Sequence, residues 1–118
     1  KGDTKMGADR YIPLTESTFL ILASLATPKH GYAIMQDVAA WSGDKAKLGP
    51  GTLYGALTKL LDQGLIRRAS EAPAGGDERR KAYVLTSLGR EVVKLECARL
   101  EAAARLGRSL LNGTGESS

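Results

Sequence analysis

Apolar positions along the chain fall into helical and strand-like groups, separated by glycine, proline and polar residues. Residues 15–26, TESTFLILASLA, are crowded with apolar side chains and predict a helix buried on more than one face. Thr15 can cap it by accepting backbone N–H bonds, Glu16 favours the positive end of its dipole, and Pro28 stops it. A second helix runs from Gly31 to about Ser42. There Ile34, Val38 and Trp41 share one face, Trp41 is expected in the core, and Gly43 ends the helix. After the loop DKAKLG comes a third helix over 50–62, with Pro50 suited to its first position and Gly64 to its stop. LIRRASE (65–71) and RRKAYVLT (79–86) read as strands, and APAGGDE between them is turn chemistry, so the pair predicts a β-hairpin. Thr86 caps a long helix over 87–111. Residues 1–13 read as a flexible arm that becomes ordered near Tyr11, and 112–118 as a disordered tail. The chain is mainly α with a small β-hairpin. It shows no internal repeat and no linker that divides residues 14–86.

The third helix has one unusual face. Leu53, Leu57, Leu60 and Leu61 gather on one side. The other carries Thr52, Gly55, Ala56 and Lys59, with Asp62 and Gln63 further along and Tyr54 at the border. A solvated helix face favours Glu, Lys, Gln or Arg, and an interior glycine costs about 1 kcal/mol relative to alanine. Close approach of another surface is one reason to accept that cost. A DNA major groove admits a helix whose first residues face base edges. Thr52 can bond a base or a phosphate, Lys59 can reach a phosphate, and the helix start offers free N–H groups to an anion. Packing of Gly55 and Ala56 against another part of the protein fits this helix equally well.

The hairpin shifts the balance. Helices followed by a β-hairpin make a winged helix-turn-helix. Its wing has Gly75 and Gly76 at the tip, then Arg79, Arg80 and Lys81, which suit phosphate contact or entry into a minor groove. The plainer reading is an edge strand blunted by charge, and Asp77 and Glu78 partly cancel the field.

The long helix carries two apolar stripes. Leu88, Val92, Leu95, Ala102 or Ala103, Leu106 and Leu110 form one; Val93, Cys97, Leu100, Ala104 and Leu111 form the other. A lone helix cannot bury both, so one is expected to face its own domain and the other a partner. A second copy related by a two-fold axis is the simplest partner, with the helix folded back on its own domain as the alternative.

Composition narrows the function. The chain has 118 residues, 17 Lys and Arg against 13 Asp and Glu, and a net charge of +4, which permits nucleic-acid binding without establishing it. One histidine and one cysteine leave no plausible metal cluster, GPGT lacks the lysine and spacing of a phosphate-binding loop, and no catalytic constellation is visible. The reading is therefore no enzyme and no cofactor. Cys97 has no disulfide partner within the chain, which fits a reducing cytoplasm, and its apolar stripe predicts a buried thiol. No apolar run approaches the roughly 18 residues of a membrane span, and no secretory pattern is present. Lys1 precedes Met6, which is a candidate natural start. The rival to DNA binding is a winged helix used only for protein contacts, and the basic wing argues against it.

HGYAIMQDV (30–38), LGPGTLYGALTKLLDQGLI (48–66) and GGDERRKAYVLTSLGREVV (75–93) together resemble the PadR family of bacterial transcriptional regulators, over about residues 14–93. The resemblance implies a winged helix-turn-helix homodimer that represses transcription from a palindromic operator. It matches Tyr32 and Tyr54 to tyrosines on the DNA-facing side. It puts Thr52, Gly55 and Lys59 on the recognition helix and Arg79, Arg80 and Lys81 on the wing. In the family the C-terminal helix dimerises, which assigns Leu88, Val92, Leu95, Leu106 and Leu110 to the interface. A single terminal helix is similar to the short-tailed branch. Some members bind small molecules near the dimer interface. Residues 87–111 contain no aromatic to stack one, so no specific effector is predicted. The family often has serine at the position of Gly49 and proline at that of Gly55, so base preference does not carry over.

Overall fold

Helix boundaries fall where local chemistry ends the backbone ladder. In the computed structural model, which describes residues 7–45, 48–70 and 81–113, helix α1 spans Glu16–Ser24 and Thr15 accepts from the Thr18 N–H at 3.2 Å. Strand β1 is Lys29–His30, and α2 follows at Gly31–Trp41. Helix α3, Pro50–Gln63, has proline in its first turn and ends at Gly64 with φ +78°. There the Gly64 and Leu65 N–H groups bond back to Leu61 and Leu60, each at 3.0 Å, the paired closure that a left-handed glycine permits. Strands β2 (Ile66–Ser70) and β3 (Ala82–Leu85) precede α4, Ser87–Asn112, whose first turn is capped by Thr86 accepting from Gly89 at 3.0 Å.

The sheet holds a strand that the sequence pattern did not predict. Its order is β1-β3-β2, with both pairs antiparallel. Lys29 and His30 lie opposite Tyr83 and Ala82, and Ile66 opposite Leu85. Two residues are too few to show a period of two. β1 exists because β3, buried at all four positions, needs partners for its backbone on both sides. Three helices with the antiparallel β2–β3 pair give the winged helix-turn-helix arrangement.

The core joins Ile21, Leu22 and Leu25 to Ile34 and Val38 of α2, Leu53, Leu57 and Leu60 of α3, and Leu65, Tyr83 and Val92. Burying each leucine or isoleucine contributes about 1.5–3 kcal/mol. The chain enters this core early. Ala8 is fully buried, a 3-10 turn spans Asp9–Tyr11, and Tyr11, Ile12 and Leu14 pack against the core.

One junction ties the end of α3, the start of β2 and the long helix together. Thr86 donates its backbone N–H to the Leu65 carbonyl at 3.1 Å and its hydroxyl to the Gly64 carbonyl at 2.6 Å. Gly89 lies directly over Leu65. A Cβ there would fall 2.9 Å from the Leu65 carbonyl carbon and 3.0 Å from a Leu85 methyl. The separate GLI and LTxxG elements are thus one contact.

Three expectations need correction. Trp41 is 53% exposed rather than in the core. Its ring lies 5.3 Å from Lys29 Nζ, which also pairs with Asp37, so a cation holds it at the surface. Cys97 is only half-buried. The long helix divides along its length rather than into two stripes around it. Gly89, Val92 and Glu96 face inward and Leu88, Val93 and Leu95 lean on the core, while every residue from Ala98 to Asn112 is exposed. Val92, fully buried in its own core, has no surface to offer a second copy.

Candidate nucleic-acid interface

Leu53, Leu57 and Leu60 pin one side of α3 in the core, and this fixes what the other side shows. Gly51, Thr52, Gly55, Thr58, Lys59 and Asp62 are all exposed. A Cβ on Gly55 would meet nothing within 4 Å among the described residues. Packing among the described residues therefore does not require Gly55. Ala56 does pack against the core. Thr58 turns its hydroxyl to the Tyr54 carbonyl at 2.9 Å.

Tyr54 is half-buried. Its hydroxyl end rests on Gly31, at the first turn of α2. Tyr32, the next residue, is 61% exposed. Two phenols from two helices thus flank the start of α2, and Thr52 is one turn or less from both Tyr54 and the start of α3. Lys81 is half-buried just ahead of β3. Arg79, Arg80 and the Gly75–Gly76 tip lie outside the described residues. Arg67 and Arg68 on the edge strand β2 are exposed and were not singled out from the sequence. Their signal was a pair of arginines in a strand whose apolar neighbours are already buried. Lys29 is committed to Asp37 and Trp41.

Of the residues expected at a dimer interface, Leu106 and Leu110 are exposed, and Leu100 and Leu111 join them. Leu88 and Leu95 lean on their own core. A hollow of about 390 Å³ lies between α1 and α4, lined by Leu14, Glu16, Phe19, Leu20, Glu96 and Leu100. Glu96 carries weight that sequence reasoning missed. It is 1% exposed and accepts from the Leu14 N–H at 2.9 Å and from Arg99 at 2.7 and 2.9 Å. Hydrogen bonds from Arg99 hold its carboxyl below the ordinary glutamate range, burial pushes it the other way, and the Leu14 N–H adds to the lowering. A carboxylate on an apolar stripe, in line with Gly89 and Val92, was the available signal.

No helix among the described residues is long and apolar enough to cross a membrane. Comparison with known proteins agrees with the geometry. The chain is 39% identical over 82 residues to an uncharacterized 37.1 kDa protein in transposon TN4556 of Streptomyces fradiae, and spans only 22% of that relative's length. A PadR family transcription regulator from Clostridium difficile R20291 superposes with a TM-score of 0.64 at 25% identity, covering 82% of this chain and 99% of that one. A PadR family regulator from Eggerthella lenta gives 0.63 at 24% identity, covering 86% of this chain and 82% of its own, a likeness of fold. The model of the transcriptional regulator PadR-like family matches residues 20–95, well over half of the sequence, and the chain belongs to that family of DNA-binding regulators.

Proposed function

We propose that the protein is a homodimeric repressor that reads a two-fold symmetric DNA operator with α3 in the major groove. The observation that carries this reading is the bare, open side of α3 around Gly55, on a helix whose opposite side is fully committed to the core. Thr52 and Gly55 face base edges in this reading. Tyr32, Tyr54 and Lys59 hold phosphates, and Arg79, Arg80 and Lys81 serve the wing, together with the exposed Arg67 and Arg68 of β2. The exposed leucines of α4 supply the contact between copies, which sets the two recognition helices about one DNA turn, roughly 34 Å, apart. The hollow between α1 and α4 adjoins those leucines and has the size of a small-molecule site, so an effector acting between protomers would bind there.

Fluorescence anisotropy with duplex DNA from just upstream of the protein's own coding region tests this, against a scrambled duplex at two salt concentrations. Strong preference that persists at higher salt supports a self-regulating repressor. Equal, weak and salt-sensitive binding to both would leave an operator elsewhere, or a winged helix whose partner is a protein. Arg79→Ala with Arg80→Ala should make the salt dependence shallower by up to about two charges, and an unchanged slope removes the wing from phosphate contact.

A further inference from the structure

We propose that Gly31 is a positioning residue for DNA binding: its missing side chain is the seat that fixes the Tyr54 hydroxyl on the DNA-facing side. The inference rests on the reading of Tyr54 as a phosphate contact. It adds a dependence of that contact on a residue of another helix.

Gly31 opens α2 and is buried. Its φ lies outside the left-handed region, so the backbone there does not require glycine. Within a helix alanine is the more favourable residue on propensity alone. What glycine provides is room. A Cβ would meet the Tyr54 ring, 2.8 Å from Cζ and 3.1 Å from Cε1, and closest of all to the hydroxyl oxygen. These atoms are the polar tip of the ring, not its base. The Tyr54 backbone is fixed independently, because Leu53 and Leu57 on either side of it are buried. The phenol therefore spans from α3 to the start of α2, with its tip over Gly31. Tyr32 follows directly in the chain and is exposed. A methyl group on residue 31 would force the Tyr54 ring to shift and move its hydroxyl, while Leu53 and Leu57 keep the helix where it is.

The test is a double-mutant cycle of Gly31→Ala and Tyr54→Phe, read by anisotropy with the upstream duplex and by thermal unfolding. Tyr54→Phe should weaken binding about two- to tenfold, the range of one net hydrogen bond. Gly31→Ala should weaken it at least as much. The double variant should bind no worse than Gly31→Ala alone, because the hydroxyl is already misplaced. Its melting temperature should rise above that of Gly31→Ala, since the closest atom of the clash is gone. That recovery of stability without recovery of affinity is a result a purely structural role does not give. Losses that multiply in the double variant would overturn the proposal and leave the Tyr54 contact standing. Unchanged binding by Tyr54→Phe would overturn both. Gly31→Ala with Tyr54→Leu has no ring to meet the methyl group and should fold even where Gly31→Ala does not; failure of that pair to fold would also overturn the seat.

Discussion

Replacing Gly55 by alanine should stabilise the domain and weaken its hold on DNA. The residue sits inside α3, where a glycine costs about 0.5–1 kcal/mol relative to alanine. A Cβ there meets nothing within 4 Å among the described residues, so no clash offsets the gain. At roughly 4 °C per kcal/mol for a domain of this size, the melting temperature should rise by about 2–4 °C. The same methyl group would stand on the face proposed to enter the groove. Crowding of one methyl group into a close-packed contact costs about 1 kcal/mol or more, a fivefold or greater loss of affinity. Thermal unfolding by circular dichroism and anisotropy with the upstream duplex measure the two quantities on one preparation. A lower melting temperature would mean that Gly55 serves the interior after all. Higher stability with unchanged affinity would mean that nothing approaches α3 closely at this point, and the groove reading would lose its main support.

Further outcomes follow from the buried carboxylate, the junction and the long helix. Glu96 has a folded pKa below its unfolded one, so its stabilisation is present above the ordinary value of about 4.3 and is lost as pH falls through the depressed folded value. Denaturant titrations should show Glu96→Gln less stable at neutral pH by about 1–2 kcal/mol, with a shallower loss on acidification than the parent; parallel pH curves would remove Glu96 as a source of acid lability. Thr86→Ala removes a helix cap and a bond to the Gly64 carbonyl, and should cost about 1–2 kcal/mol by the same measurement, with Thr86→Ser recovering most of it. Leu106→Glu with Leu110→Glu should give a folded monomer by light scattering that has lost its preference for the upstream duplex. A dimer that survives both changes would place the contact elsewhere.

The sequence made legible whatever is decided within a few residues. Thr15, Pro50, Gly64 and Thr86 act on their own helix ends, and each does in the structure what its position predicts. Depth and pairing are decided at long range and were less legible. Helical spacing set Trp41 in line with Ile34 and Val38, yet those two are buried and Trp41 is not. Spacing carries no information on how far the core extends, and Trp41 lies beyond its edge, against Lys29. β1 is dictated by β3, more than fifty residues later in the chain. The candidate site shows the same division. The bare side of α3 could be read from a wheel, but Tyr54 resting on Gly31 joins two motifs that no local rule connects, and Glu96 reaches back to Leu14.

The long helix shows why a second copy is the economical reading of this fold. From Ala98 to Asn112 nothing among the described residues covers it, over about 22 Å at ~1.5 Å per residue. An isolated helix of roughly that length is marginal in water, so propensity alone does not account for it. A segment meant only to be solvated would also carry polar residues all round. This one instead shows Leu100, Leu106, Leu110 and Leu111, with Leu100 on the rim of the α1–α4 hollow. The proximal half is bound through Gly89, Val92 and Glu96, and the distal half continues the same helix beyond the core. In the proposed dimer a second α4 along this segment would bring a matching set of leucines. Because the Thr86–Leu65 junction joins α4 to the end of α3, whatever fixes two long helices against each other also fixes the two recognition helices.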